Sequence, residues 1–257
     1  MAHKDKRPLI IGHRGASGEA PENTLASFGL ALQQGAEGLE LDIHLSADGE
    51  IFVCHDSTVD RTTNGTGEIA NMSVEELKML DAGSWFDERY AGEQLPLLEE
   101  VFASVPAEIL INVEVKCPLT PRLQERLLQL LNQYDRLQSV VFSSFHHKVL
   151  LGLKQAEPRL QVGLLYRGNF INHRNVAELT GMDIYSLHPY YTLIDAEDVT
   201  DAVSHGLRVY TFTVNDPVQM KRVYDLGVSG IGTDFPALLK IMLDSLESQD
   251  KAGSMIS

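Results

Sequence analysis

From Pro96 onwards, short aliphatic runs and amphipathic runs alternate without a break, and this alternation is what most constrains the fold. Helical runs are read at 97–104, 121–134, 147–156, near 176–180, at 196–205, 217–226 and 236–246. Strands are read between them at 108–116, 139–143, 161–166, 183–188, 207–214 and 230–234. Strands spaced by helices predict a parallel sheet whose crossovers are those helices. Upstream, 8–12, 38–45 and 51–54 read as further strands. An amphipathic helix over 25–34 lies between the first two, with Asn23 placed as its N-cap and Gly35 as its stop. The strand count is close to that of an α/β (β/α)8 TIM barrel, expected as one domain over 1–247 with a disordered tail at 248–257.

Two of these strands carry the chemistry. Side chains alternate across a strand, so Leu39, Leu41, Ile43 and Leu45 share one face while Glu40 and Asp42 share the other. Ile109, Ile111, Val113 and Val115 likewise oppose Asn112, Glu114 and Lys116. Exposed edge strands produce the same pattern. Inside a barrel, however, the aliphatic faces meet the helices and Glu40, Asp42 and Glu114 converge near the mouth. Three carboxylates brought together repel unless a cation sits between them. Hard oxygen donors of this kind suit Mg²⁺ or Ca²⁺, and three carboxylates serve either ion.

Residues 57–95 interrupt the rhythm with a Thr-, Asn- and Gly-rich stretch, one short helix near 73–78 and the sole tryptophan, Trp85. A long excursion of this kind is expected to be a functional insertion beside the mouth, with Trp85 anchoring it. Lys plus Arg number 21 against 36 Asp plus Glu, a net charge of −15, which argues against nucleic acid or an anionic membrane surface as general partners. No apolar run approaches a membrane span, so no stable membrane insertion is expected. Cys54 and Cys117 make no disulfide framework, and a cytoplasmic protein with buried, inert thiols is the expectation.

His13 and His55 each follow an apolar strand, where imidazoles serve as acid or base near neutral pH. One such histidine is ordinarily structural; two beside a carboxylate cluster point to catalysis. Arg14 can grip a phosphate through its planar fork and Lys116 as a point charge. Two histidines, a hard cation and two fixed positive charges together match phosphodiester cleavage.

The ordered set His13-Arg14-Gly15, Pro21-Glu22-Asn23-Thr24, Glu40-Leu41-Asp42, His55-Asp56 and Glu114-Val115-Lys116 resembles that of glycerophosphodiester phosphodiesterases. The likeness continues through Asp60–Gly65, Leu95–Val101, Thr213-Val214-Asn215 and Thr233-Asp234, so it covers roughly 9–237. It implies a barrel of the phosphatidylinositol-phospholipase-C-like kind, with 57–95 as the characteristic insertion. The implied reaction is hydrolysis of small-molecule glycerophosphodiesters, such as glycerophosphocholine or glycerophosphoethanolamine, to sn-glycerol 3-phosphate and an alcohol. By motif, His13 and His55 become the acid–base pair with His13 the base, Glu40, Asp42 and Glu114 the metal ligands, and Arg14 and Lys116 the phosphate contacts. Whether water attacks directly or the glycerol 2-hydroxyl first forms a cyclic phosphate stays open. The chain departs from the family at Phe212, where many relatives carry tryptophan. Phe212 and Tyr210 can still wall the glycerol pocket, although Phe212 serves equally as core, and His188 either lines the mouth or caps a strand. Lysophospholipase D-like activity and a silent phosphate-ester-binding barrel are the alternatives.

Overall fold

The computed structural model describes residues 7–254. β1 (Leu9–His13), α1 (Leu25–Gln33), β2 (Gly38–Leu45) and β3 (Ile51–Val53) open the chain, and α2 (Val74–Lys78) lies in the excursion. α3 (Leu98–Ser104), β4 (Leu110–Val115), α4 (Pro121–Gln133), β5 (Val140–Ser144) and α5 (His147–Ala156) follow. Then come β6 (Gln161–Tyr166), α6 (Arg174–Glu178), β7 (Ser186–Pro189) and α7 (Ala196–Ser204). β8 (Arg208–Thr211), α8 (Pro217–Leu226), β9 (Gly230–Thr233) and α9 (Pro236–Ser254) complete it. Neighbouring strands run β1-β9-β8-β7-β6-β5-β4-β2, all parallel, and the β1–β2 pairing closes a (β/α)8 barrel.

β3 is not a stave of that barrel. It returns antiparallel along β2, with Ile43 opposite Val53. The connection through Ala47-Asp48-Gly49, with Gly49 at φ 80°, leaves no chain for a helical crossover, so only a hairpin is possible.

The parity of the two chemical strands holds. Leu39, Leu41, Ile43, Ile111, Val113 and Val115 all belong to the helix-facing core, each burial contributing roughly 1.5–3 kcal/mol. Asp42 stands opposite Glu114 and Glu40 opposite Asn112 on the inner face. The excursion has a small core of its own, made by Phe52, Cys54, Val59, Ile69, Leu77, Ala82 and Leu95. Trp85 closes it by donating from Nε1 to the Ala82 carbonyl at 2.9 Å. Burial pushes the Cys54 thiol up to about 12, which leaves it protonated and unreactive.

Two local expectations change. Thr24, not Asn23, caps α1, its hydroxyl accepting from Ser27 N–H. Asn23 instead takes a left-handed conformation, φ 59°, that asparagine tolerates better than most residues. The last helix, expected to stop at 246, continues through the span expected as tail to Ser254; 255–257 lie outside the described residues. Its polar final turns carry no apolar period from which a helix is read, yet nothing before Gly253 stops one. Among the described residues no helix is long and apolar enough to cross a membrane.

Arg136 lies buried beneath α3. It donates to the carbonyls of Phe102 and Pro106 at 2.9 Å and to that of Val105, so it serves acceptors that the end of α3 leaves unmatched. Arg136→Ala is expected to orphan all of them and to destabilise the fold by about 3 kcal/mol, measured by urea denaturation. A loss below roughly 1 kcal/mol would show that water replaces the guanidinium.

Candidate active site

The C-terminal ends of β1, β2, β4 and β9 bring the site together. One ligand oxygen from each of Glu40, Asp42 and Glu114 lies within 4.8 Å of the others. Asp42 is the hub. Its Oδ2 accepts from Asn23 Nδ2 at 2.9 Å and faces Arg14 Nε at 3.3 Å, and its Oδ1 faces Lys116 Nζ at 3.5 Å. Lys116 also donates to Glu114 at 2.9 Å, and the Arg14 backbone N–H to Glu40 at 3.0 Å. Arg14 and Lys116 thus stand at the carboxylates' flanks.

Charge is unevenly shared. Burial, with Asp42 adding to it, pushes the Glu40 carboxyl up to about 8. Burial and the Asp42 charge also raise Glu114. Asp42 itself is held below the usual range, because Arg14 and Lys116 outweigh its burial. Glu40 and Glu114 are therefore left short of compensating charge, and the trio suits a divalent cation. Asn112 Oδ1 is buried on the same wall with no partner, leaving a further oxygen free to accept. These are the residues that would hold Mg²⁺ or Ca²⁺.

Both histidines are backed by carboxylates. His13 Nδ1 lies 2.6 Å from Asp234 Oδ1, while Nε2 lies 4.0 Å from Glu40 Oε2. Asp234 is fixed in turn by Ser17 Oγ at 2.8 Å and Asn215 Nδ2 at 2.5 Å. His55 Nδ1 meets Asp56 Oδ1 at 2.6 Å, and Arg61 Nε donates to Asp56 Oδ2 at 2.7 Å. With Nδ1 facing a carboxylate, each ring keeps its proton there and leaves Nε2 to exchange one. Burial alone would lower His13, but the Asp234 hydrogen bond and the Glu40 charge raise it above its ordinary value. Burial lowers His55. Arg61 reaches on to Glu22 with two bonds at 2.8 Å, and Glu22 accepts from Arg14 at 2.9 Å. The insertion is thereby tied to the loop after β1.

Beside the trio a narrow pocket, partly open to solvent, runs between His13, Glu114, Leu165, His188, Tyr210 and Phe212. His188 lies inside it rather than at a strand cap. It hydrogen-bonds Ser186 Oγ at 2.7 Å, and burial lowers it to about 3, so it is neutral at pH 7. Phe212 packs edge-on against Phe145 and Tyr190, each 6.1 Å away. Asp234, Asn215, Asp56, Arg61 and Glu22 all serve the site, and residue-by-residue reading assigned them no role. Asp234 had one signal, its place just after a strand end.

A closed parallel barrel with two carboxylate-backed histidines above a carboxylate trio defines a hydrolytic enzyme of the (β/α)8 class. A model of the Glycerophosphoryl diester phosphodiesterase family matches residues 13–238. The glycerophosphodiester phosphodiesterase of Caldanaerobacter subterraneus subsp. tengcongensis is 41% identical over 236 residues, covering 91% of this chain and 96% of that one. A second from Bacillus subtilis is 34% identical over 249 residues, covering 90% and 85%. Among solved structures, an Oleispira antarctica phosphodiesterase in complex with the product sn-glycerol-3-phosphate superposes with a TM-score of 0.84 at 34% identity, covering 92% of this chain and 97% of that one. The chain belongs to the glycerophosphoryl diester phosphodiesterase family, and it is a phosphoric diester hydrolase.

Proposed function

We propose that the enzyme hydrolyses glycerophosphodiesters, glycerophosphocholine and glycerophosphoethanolamine among them, to sn-glycerol 3-phosphate and an alcohol, with a divalent cation held by Glu40, Asp42 and Glu114. The observation that carries this reading is the placing of His13 Nε2 beside that trio while Nδ1 is pinned to Asp234. A cation held by Glu40, Asp42 and Glu114 would supply Lewis-acid polarisation of the phosphoryl oxygens. Arg14 and Lys116 add fixed positive charge for the same oxygens. His13 and His55 form the acid–base pair, one taking the proton of the attacking oxygen and the other returning a proton to the departing alcohol. Leu165, Tyr210 and Phe212 give the glycerol an apolar wall. Both cysteines are free, which supports action in the cytosol.

Release of sn-glycerol 3-phosphate from glycerophosphocholine and glycerophosphoethanolamine is the direct test. Metal-stripped protein is expected to be inactive and to recover with Mg²⁺ or Ca²⁺. A lysophosphatidylcholine turned over faster than glycerophosphocholine would replace this reading with lysophospholipase D-like activity. Metal-dependent binding of both diesters without product would leave a silent binding barrel.

A further inference from the structure

We propose that His188 donates a hydrogen bond to the C1 hydroxyl of the retained glycerol and makes the enzyme select diesters in which that hydroxyl is free; the proposal rests on the phosphodiesterase reading above. In a (β/α)8 barrel the inward faces of the strands are ordinarily filled by branched aliphatic side chains. β7 turns Ser186 and His188 inward instead, beside Gly163 and Leu165 of β6. Glycine is required there, because a Cβ on Gly163 would stand 2.3 Å from His188 Nε2 and 2.7 Å from Ser186 Oγ. Tyr210 of β8 packs edge-on against the imidazole, with ring centroids 5.4 Å apart.

Hydrogen bonding fixes which nitrogen carries the proton. Ser186 is fully buried, and its hydroxyl meets His188 Nε2 at 2.7 Å with no other partner among the described residues. A buried hydroxyl keeps its proton in a hydrogen bond, so Ser186 donates and Nε2 accepts. The ring is neutral, and its single proton therefore sits on Nδ1. Among the described residues nothing accepts from Nδ1. Nor is Nδ1 among the unpartnered atoms sealed from solvent, so it opens onto the pocket that the ring lines. A buried donor without an acceptor costs free energy that a leucine in this place would not. An acceptor inside the pocket offsets that cost.

Position selects the acceptor. The phosphate belongs at the carboxylate trio, between Arg14 and Lys116, and the pocket leads from His13 and Glu114 to Leu165, His188 and Tyr210. Of the two free hydroxyls on the glycerol, the one on C2 lies nearer the phosphorus. The C1 hydroxyl is the farther one, and it is the group carried towards His188. A neutral imidazole N–H suits it, donating without adding charge beside a cation site. A diester acylated at C1 has no hydroxyl to offer, so the contact favours the fully deacylated diester.

The test measures kcat/KM, with Mg²⁺ or Ca²⁺ present, on glycerophosphocholine and on its 1-deoxy analogue, in which a methyl group replaces the C1 hydroxymethyl. Wild type is expected to favour glycerophosphocholine by about thirtyfold, the size of one buried donor left unmatched. His188→Phe keeps a ring in place and removes the donor; it is combined with Ser186→Ala so that no hydroxyl is orphaned. The pair should lose about thirtyfold on glycerophosphocholine and little on the analogue, so that the preference collapses. Ser186→Ala alone keeps the imidazole but no longer holds its proton on Nδ1, and should reduce the preference by about fivefold. Equal losses on both substrates would make His188 a packing residue and overturn the proposal. Should the double variant not fold, an unchanged preference in Ser186→Ala overturns it and a reduced one supports it. Equal rates on the two substrates in wild type overturn it without any variant and leave the phosphodiesterase reading standing. Turnover of neither overturns both.

Discussion

His13→Ala is expected to lower kcat by about a thousandfold while the barrel stays folded. The imidazole lies at the end of β1, outside the helix-facing core, so its removal opens no core cavity. What disappears is the imidazole nitrogen that stands 4.0 Å from Glu40. The companion variant is Asp234→Asn, which keeps the side chain's shape and loses its charge. The Asp234 hydrogen bond, with the Glu40 charge, holds His13 above its ordinary value against burial, so without it the histidine should titrate at lower pH. The limb of the kcat/KM profile that belongs to His13 should therefore move acidward, with kcat down by about a hundredfold. Near-normal turnover in His13→Ala would remove it from the proton path. An unmoved profile in Asp234→Asn would make Asp234 a scaffold residue only.

The second large effect concerns the cation and pH. In metal-free protein Glu40 titrates at about 8, far above an unfolded glutamate at 4.5. The folded state then binds more protons than the unfolded one, so stability falls as pH rises. His13, raised above 6.5, acts in the same direction. His55, His44 and His188 are lowered and act oppositely, but only below 6.5. Metal-free protein should thus lose stability steadily from about pH 6.5 to pH 8, and Mg²⁺ or Ca²⁺ should flatten the loss. At a hundredfold excess over Kd the ion contributes about 2.7 kcal/mol, seen as a higher Tm. Binding must also expel the Glu40 proton, so affinity should weaken as pH is lowered below 8. Glu114→Gln should demand more metal for the same activity. A Tm indifferent to both ions at every pH would contradict the metal assignment.

Much of this was legible in the sequence where a period exists to be read. The two-residue alternation in 38–45 and 109–116 placed three carboxylates on one side of a barrel, because a strand's geometry leaves no other option once its aliphatic face is buried. The βα rhythm gave the architecture for the same reason. Asp234 has no such period. Its value comes from barrel closure, which sets β9 against β1, and nothing near residue 13 announces it. Arg61 and Glu22 meet only because the insertion folds back over the loop after β1. Arg136 is silent for another reason, since a lone arginine after a helix reads as solvated until the carbonyls beneath it are seen. Asn23 misled because asparagine suits both a helix cap and a left-handed turn, and only the backbone decides between them.

The hydrogen bond between His13 and Asp234 spans 221 positions of sequence. Contacts of that range form last, after loop closure across nearly the entire chain. A ribosome synthesising this protein has already released β1, β2 and β4, with both histidines and every carboxylate of the trio, well before β9 appears. Such a nascent chain carries the catalytic inventory without the brace that aligns it. Completion of the barrel is therefore also the moment of activation, and a product truncated before residue 230 would be inert however well its remaining strands paired.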